Sequence, residues 1–252
     1  RKRAPTTEPP PPLETDEILP VLPPDPTFTV PDLTLSLRRA TFVGVVGPVA
    51  SGKTTLLRSL LRQLRPTSGR ALYDVSGGSS YSPQSPFVLN ATVRSNILFG
   101  SDYDPERYKE VVRCTNLSKD FLSFPLGDLS ELGERGVTLS GGQKARVGVA
   151  RALYRSPSSL VALDDPLSAL DAETGKRVFE RIRGSPLFKD SCVVIVTNAG
   201  WVCRSFDRLL LTYGGRVAFD GGWDDLLKFK AGDEELEKFV ERVKGTAQIN
   251  RG

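Results

Sequence analysis

Histidine and methionine are absent from this chain of 252 residues, and only three cysteines are present. Without histidine, imidazole acid–base catalysis and histidine metal ligands are excluded. Cys114, Cys192 and Cys203 show neither metal-site nor disulfide spacing, so a reducing compartment is indicated. No run of about eighteen apolar residues exists, so the sequence predicts no membrane-spanning helix.

Targeting signals and strong charge are also lacking. Prolines rather than an apolar segment follow the basic residues Arg1–Arg3, which argues against a signal peptide. The missing methionine leads us to expect a piece of a longer protein. The net charge of +4 is spread along the chain, so no nucleic-acid partner is indicated. Residues 1–26 hold nine of the nineteen prolines and predict a disordered, proline-rich linker.

The most informative stretch is Gly47–Thr55, which has the form G-x-x-x-x-G-K-[ST]. Its glycines let successive backbone N–H groups point at a phosphate chain, and the following helix adds its positive N-terminal end. A glycine-rich turn that happens to carry a lysine is the alternative, but the flanking strand (41–46) and helix (54–64) favour a nucleotide site. Lys53 is expected to reach the phosphates and Thr54 to bind Mg²⁺. The candidate contacts are Gly47, Val49, Ala50, Ser51, Gly52, Lys53, Thr54 and Thr55.

A second buried strand, Leu160–Leu163, ends in two carboxylates. A P-loop needs such a strand to hold its magnesium ion, and Asp164 is the candidate metal ligand beside Thr54. Asp165 follows at the position where a carboxylate could orient an attacking water. Buried strands often end in aspartate, so this pattern gains its meaning from the P-loop.

The segment Leu139–Gln143 begins another helix with a serine and two glycines. It is explained either as a capped helix start or as a second phosphate-binding helix N-terminus. Its position after Gly133–Gly136 and before Asp164 favours the phosphate site. The candidate contacts are Ser140, Gly141, Gly142 and Gln143.

The order of elements predicts an α/β fold with a mostly parallel sheet covered on both faces. Alternating apolar residues from Thr27 to Leu37 predict antiparallel edge strands before the P-loop strand. Helices are predicted over 105–116 and 118–124, a hairpin over 208–219, and amphipathic helices over 223–229 and 234–243.

Together these motifs resemble the nucleotide-binding domain of ATP-binding cassette (ABC) transporters. The resemblance covers about residues 27–230. Residues 90–100 and the 31-residue interval from Lys53 to Gln84 look like the first cassette of subfamily C, the multidrug-resistance-associated group. The matching motifs are Gly47–Thr54 (Walker A), Gln84 (Q-loop), Leu139–Gln143 (signature), Leu160–Asp164 (Walker B) and Ser168–Asp171 (D-loop).

The resemblance implies a RecA-like P-loop NTPase fold with an inserted α-helical subdomain at about 85–150, followed by a C-terminal helix and tail at 231–252. It implies ATP and Mg²⁺ as cofactors, with Gln84 as a further metal and catalytic residue. A second cassette, in the same polypeptide, would close head to tail on this one. Gln84 and Gly133–Gly136 would face the transmembrane domains of the parent protein, at the cytosolic face of a membrane.

Three positions depart from a hydrolysing cassette. Asp165 replaces the usual glutamate, and Asn198 replaces the usual switch histidine. Val30 takes the place of the aromatic residue that stacks on adenine, with Phe28 as the nearest substitute. Neutral variation in a working ATPase is one explanation. We favour a site that binds ATP and hydrolyses it slowly, because a shorter carboxylate loses in-line water geometry.

Three alternative functions differ in how well the sequence supports them. A regulatory nucleotide sensor, as in subfamily C members that act as channels or channel regulators, is compatible with Asp165 and Asn198. A soluble cassette ATPase acting on ribosomes or DNA is disfavoured by the short interval from Lys53 to Ser140. An unrelated P-loop kinase would lack Leu139–Gln143.

Overall fold

A six-stranded sheet forms the centre of the molecule, with the strand order β2-β3-β4-β1-β5-β6. The computed structural model describes residues 33–64, 66, 68, 78–133, 136–155 and 158–249. The first five strands in that order run parallel, and β6 pairs antiparallel with β5. The described strands are β1 (Thr41–Val46), β2 (Ser79–Ser82), β3 (Leu160–Asp164), β4 (Cys192–Val196), β5 (Arg208–Tyr213) and β6 (Arg216–Gly221).

Helices cover both faces of this sheet. They are α1 (Lys53–Leu60), α2 (Val93–Leu98), α3 (Pro105–Cys114), α4 (Ser118–Phe121), α5 (Gly141–Tyr154), α6 (Ala172–Arg183), α7 (Trp223–Lys228) and α8 (Glu234–Ile249). Alternate side chains of each strand point to opposite faces, so β1 contributes to two cores. Val43 and Val45 pack with Leu56 and Leu57 of α1. Phe42 and Val46, on the other face of β1, belong to the larger core. This arrangement confirms the predicted α/β fold with a mostly parallel sheet and an antiparallel edge.

Four helices, α2 to α5, lie between β2 and β3 in the chain. The longest of them, α5, packs against α2, α3 and β2. Asp104 caps α3 by accepting hydrogen bonds from the backbone N–H groups of Glu106 and Arg107, with Pro105 at the first helical position. No helix in the described part of the chain is long and apolar enough to cross a membrane.

The predicted hairpin over 208–219 is formed by β5 and β6, whereas the described part of the edge strands predicted before β1 is not a strand. Residues 33–38 form no strand, and the edge is made by β6. Leu35 and Leu37 pack against the core that contains α1 while their neighbours are exposed, so the alternation reflects one-sided burial without strand pairing. The earlier part of that prediction, including Phe28 and Val30, lies outside the described residues.

Two helices, α1 and α4, end three or more residues earlier than predicted. The helix α1 stops at Leu60 rather than Leu64, and Arg62 takes a left-handed backbone conformation with φ of 63°. That conformation cannot continue a right-handed helix. The helix α4 ends at Phe121 rather than residue 124 and continues as turns.

Candidate functional site

The candidate residues leave the sheet at one edge. β1, β3 and β4 are parallel, and Val196 pairs with both Val45 and Asp164. The P-loop after β1, Asp165 after β3 and Asn198 after β4 therefore emerge at the same carboxyl edge. Ser82 pairs with Leu163, so the exposed Gln84, two residues beyond β2, also lies at this edge. Ligand sites of open parallel sheets occur at this place.

The P-loop is anchored to the end of β5. A Cβ atom on Gly47 would lie 2.3 Å from the carbonyl oxygen of Thr212, so only glycine fits there without a shift. The hydroxyls of Ser51 and Thr212 share a hydrogen bond of 2.7 Å. Gly52 leads into α1 with φ of 102°, which glycine readily adopts. Val49 at the loop tip is 89% exposed.

The remaining loop positions complete this turn. Ala50 also has a left-handed backbone, with φ of 61°. Thr55 lies half-buried in the first turn of α1. The loop thus turns tightly from β1 into α1, with left-handed backbone at Ala50 and Gly52.

Lys53 folds back across the loop. Its Nζ donates hydrogen bonds to the carbonyl oxygens of Gly47 at 2.8 Å and Pro48 at 2.6 Å. Burial lowers the pKa of Lys53, while the carboxylates of Asp165 and Asp164 act in the opposite direction. The ammonium group is therefore held over the concave side of the loop, where it can bind an anion.

Two of the three candidate magnesium ligands, Thr54 and Asp164, are in contact. The hydroxyl of Thr54 donates to Oδ2 of Asp164 at 3.1 Å. Asp164 is only 5% exposed, and burial raises its pKa, whereas the Thr54 hydrogen bond and Lys53 lower it. A hydroxyl and a carboxylate that meet in this way form a donor set suited to Mg²⁺.

Tyr81 was not among the residues predicted for the site. It lies on β2 opposite Ala162, and the side chain of Asp164 projects from the same face of β3 as that of Ala162. Burial raises the pKa of Tyr81, and the adjacent Asp164 carboxylate raises it further. In the sequence, Tyr81 stands out only as the single aromatic residue of β2. Its proximity to Asp164 follows from the strand register, which the sequence does not give.

Asp165 lies at the turn after β3 with a left-handed backbone, φ 48°. Its N–H donates to the carbonyl of Val196 at 2.9 Å, and its own carbonyl accepts from the Ser168 hydroxyl at 2.9 Å. Burial raises the pKa of the Asp165 carboxyl, and the neighbouring Asp164 adds to this effect. Asp165 and Asn198 line one cavity of about 240 Å³, together with residues of the following turn and Trp201.

Ser140 and Gln143 form a reciprocal cap at the start of α5. The Ser140 hydroxyl accepts from the Gln143 N–H at 3.2 Å, and Oε1 of Gln143 accepts from the Ser140 N–H at 2.9 Å. The structure therefore realises the capped helix start, which was one of the two explanations for this segment. A Cβ on Gly141 would meet nothing within 4 Å, whereas one on Gly142 would lie 3.0 Å from the carbonyl oxygen of Ala169.

The side chain of Gln143, a predicted nucleotide contact, is hydrogen-bonded within its own chain. Its Nε2 donates to Oδ1 of Asp120 at 3.0 Å, which links α5 to α4. Both polar ends of the amide are thus engaged within the chain. Of the segment Gly133–Gly136, residues 134 and 135 lie outside the described residues, and the N–H of Gly136 donates to the carbonyl of Gly133 at 3.1 Å.

Comparison with known proteins shows the family of this chain. The family described as ABC transporter matches residues 30–168, more than half of the chain. The chain is 42% identical over 208 residues to ABC transporter C family member 9 of Arabidopsis thaliana, covering 82% of this chain and 14% of that protein. It is 41% identical over 200 residues to ATP-binding cassette sub-family C member 4 of Mus musculus, covering 79% of this chain and 15% of that protein.

A third relative is the probable multidrug resistance-associated protein lethal(2)03659 of Drosophila melanogaster, 39% identical over 207 residues that cover 82% of this chain and 15% of that protein. The chain thus spans less than a fifth of the length of these curated relatives. The P-loop, the paired Thr54 and Asp164, and the start of the capped helix at Ser140–Gln143 all lie within residues 30–168, which the family matches. The chain belongs to the ABC transporter family, and its similarities are to nucleotide-binding cassettes of subfamily C.

Proposed function

We propose that this chain binds Mg-ATP on its own P-loop and closes its signature segment, Ser140–Gln143, over the ATP of a second cassette. The observation that carries the first half is the hydrogen bond of 3.1 Å between Thr54 and Asp164. It joins the end of β3 to the start of α1, at the place where a phosphate-bound cation has to be held.

The residues at this edge fit both cofactors. Thr54 and Asp164 offer oxygen ligands to Mg²⁺, and Gln84 follows β2 at the same edge. Gly47 lets the loop pack closely against Thr212, and Lys53 supplies a positive charge at the Gly47 carbonyl oxygen. When bound, Mg²⁺ neutralises charge on the phosphate oxygens. The chain's own part is to hold the nucleotide with the loop N–H groups, the Lys53 ammonium and the positive end of α1.

Hydrolysis on this P-loop is slow in our proposal. Asp165 is one methylene shorter than the usual glutamate, so its carboxylate is drawn back from an attacking water, and a misplacement of about 1 Å costs up to about 100-fold in rate. Its backbone conformation, φ 48°, is one that aspartate tolerates better than glutamate. Asn198 on the shared cavity can donate a hydrogen bond but carries no charge.

The intact signature then serves the second cassette. Ser140 and the glycines after it form the capped, accessible N-terminus of a helix of fourteen residues. Helix N-termini of this kind bind phosphate groups. In the parent protein, Gln84 and Gly133–Gly136 would contact the membrane domains on the cytosolic side. The parent would be an exporter of the multidrug-resistance-associated type, driven by the paired cassettes.

The proposal is tested by single-turnover measurement of labelled Mg-ATP on the purified chain. Wild type is expected to bind ATP and release phosphate slowly, and Lys53→Ala is expected to lose binding. Asp165→Glu with Asn198→His is expected to raise the hydrolysis rate by about 10- to 100-fold without changing ATP affinity. Wild-type turnover at an ordinary ATPase rate, unchanged by the double substitution, would refute slow hydrolysis.

The role of the signature is tested in the full-length parent. Ser140→Arg together with Gly142→Asp places bulk and charge at the helix N-terminus, whereas Leu122→Ala at an exposed site nearby serves as the control. Loss of transport in the first variant alone is expected. Transport that survives the double substitution would contradict the proposed role in the partner site.

A further inference from the structure

The carboxamide of Gln143 has a fixed orientation. Its oxygen accepts from the Ser140 N–H at 2.9 Å, and its nitrogen donates to Oδ1 of Asp120 at 3.0 Å. Turning the amide over would place its nitrogen against an N–H donor and its oxygen against a carboxylate, so both contacts would become repulsive. The side chain is therefore held from two directions by its own chain.

Asp120 is itself held by a nearly buried ion pair. The guanidinium of Arg146 binds both carboxylate oxygens, through NH1 to Oδ2 and through NH2 to Oδ1 at 3.1 Å. NH1 also donates to the carbonyl of Asn116 at 3.0 Å. The side chains of Arg146 and Asp120 are only 11% and 13% exposed. Two-point binding of this kind fixes a carboxylate in position, and burial limits its screening by solvent.

This network determines which groups at the start of α5 stay available. The first N–H groups of a helix have no partner within the helix. Here the Gln143 N–H is taken by the Ser140 hydroxyl, and the Lys144 N–H by the Ser140 carbonyl at 2.9 Å. The N–H groups of Gly141 and Gly142 and the hydroxyl proton of Ser140 remain for an incoming anion.

We propose that Gln143 is a positioning residue rather than a nucleotide contact, and that Asp120, braced by Arg146, sets its orientation. Gln143 closes the cap on Ser140, and the cap aims the Ser140 hydroxyl and the two glycine N–H groups at the phosphates of the partner's ATP. The function of this cap rests on the proposed role of the signature in a second cassette. The orientation of Gln143 does not rest on it.

The test exchanges donor and acceptor. Gln143→Glu keeps an oxygen for the Ser140 N–H but sets a carboxylate against Asp120, which is unfavourable. Adding Asp120→Asn relieves this repulsion, because it removes the second carboxylate and leaves the glutamate as the anion beside Arg146. Asp128→Asn is the matched control, since Asp128 forms an ion pair with Arg94 in the same helical region.

Two quantities are measured for each variant of the chain. The first is hydrogen exchange of the amide at position 143 in the free chain, with thermal unfolding recorded in parallel. The second is the dissociation constant for self-association in Mg-ATP, measured by sedimentation. We expect Gln143→Glu to speed the exchange about ten-fold and to weaken association about ten-fold, with most of both effects reversed in the double variant. The Asp128→Asn control is expected to leave both quantities near wild type.

The outcomes separate the two proposals. If Gln143 contacted nucleotide, the glutamate would weaken association equally with Asp120 or its asparagine replacement, which would overturn the positioning role. An absence of rescue in the exchange data would overturn it as well. If exchange is rescued but wild type shows no ATP-dependent association, the orientation of Gln143 stands and the role of the signature in this chain's pairing fails.

Discussion

Replacing Gly47 with alanine tests how the P-loop is joined to the sheet. The new Cβ would lie 2.3 Å from the Thr212 carbonyl oxygen and 2.5 Å from the hydroxyl oxygens of Ser51 and Thr212. An ordinary contact is about 1 Å longer. The Thr212 carbonyl belongs to β5, which is paired on both sides, so the loop rather than the strand has to move.

The expected cost has two parts. Forcing a methyl group into a packed site costs about 1–3 kcal/mol. Separating the Ser51 and Thr212 hydroxyls, now 2.7 Å apart, removes a buried hydrogen bond worth about 1 kcal/mol. Gly47→Ala should therefore lower the free energy of unfolding by about 2–4 kcal/mol, which corresponds to a fall in Tm of roughly 4–16 °C for a chain of this size.

Differential scanning calorimetry of the chain measures this effect, and Gly141→Ala provides the matched control. A Cβ on Gly141 meets nothing within 4 Å, and alanine favours a helix over glycine, so its Tm should stay level or rise slightly. ATP titration should show weaker binding to Gly47→Ala and unchanged binding to Gly141→Ala. A Tm for Gly47→Ala within about 1 °C of wild type would show that the close packing of Gly47 against Thr212 is not a constraint.

Two further predictions concern the helical region around α3. The Tyr154 hydroxyl donates to the Asp102 carbonyl at 2.6 Å and accepts from the Asp104 N–H at 2.7 Å, so Tyr154→Phe should lower the free energy of unfolding by about 1–3 kcal/mol in denaturant titration. An unchanged midpoint would refute this. Hydrogen bonding to Arg113 lowers the pKa of Glu110 from 4.5 to about 2. The stability that this contact contributes is present above pH 4.5 and is lost as the pH falls toward 2, so Glu110→Gln should flatten the pH dependence of unfolding in that window; a curve parallel to wild type would contradict it.

Much of the site was predictable because its signals are local. The P-loop between Gly47 and Lys53 depends on glycines at fixed spacing and on a strand and a helix that are each visible as a periodic pattern. The same holds for the cap at Ser140, where serine and glutamine three residues apart can satisfy each other's backbone. Their roles in binding ATP remain predictions.

Where the sequence predictions were wrong, the apolar periodicity extended beyond the element that formed. Leu35 and Leu37 alternate like a strand, but β6 forms the described antiparallel edge beside β5. The helix α1 has no breaking residue before Leu64, yet it ends at Leu60. Apolar periodicity reports which side of a segment is buried, whereas strand pairing depends on which other segment forms hydrogen bonds with its backbone.

The sequence by itself determined the alternation of strands and helices, the P-loop, the carboxylates after β3 and the capped start of α5, because each depends on residues a few positions apart. The tertiary structure alone decided which side chains meet: Gly47 with Thr212, Thr54 with Asp164, and Gln143 with Asp120. The strand order and the packing of the helices bring the two residues of each pair together. Such contacts depend on the direction of each side chain in three dimensions, which periodicity in one dimension does not encode.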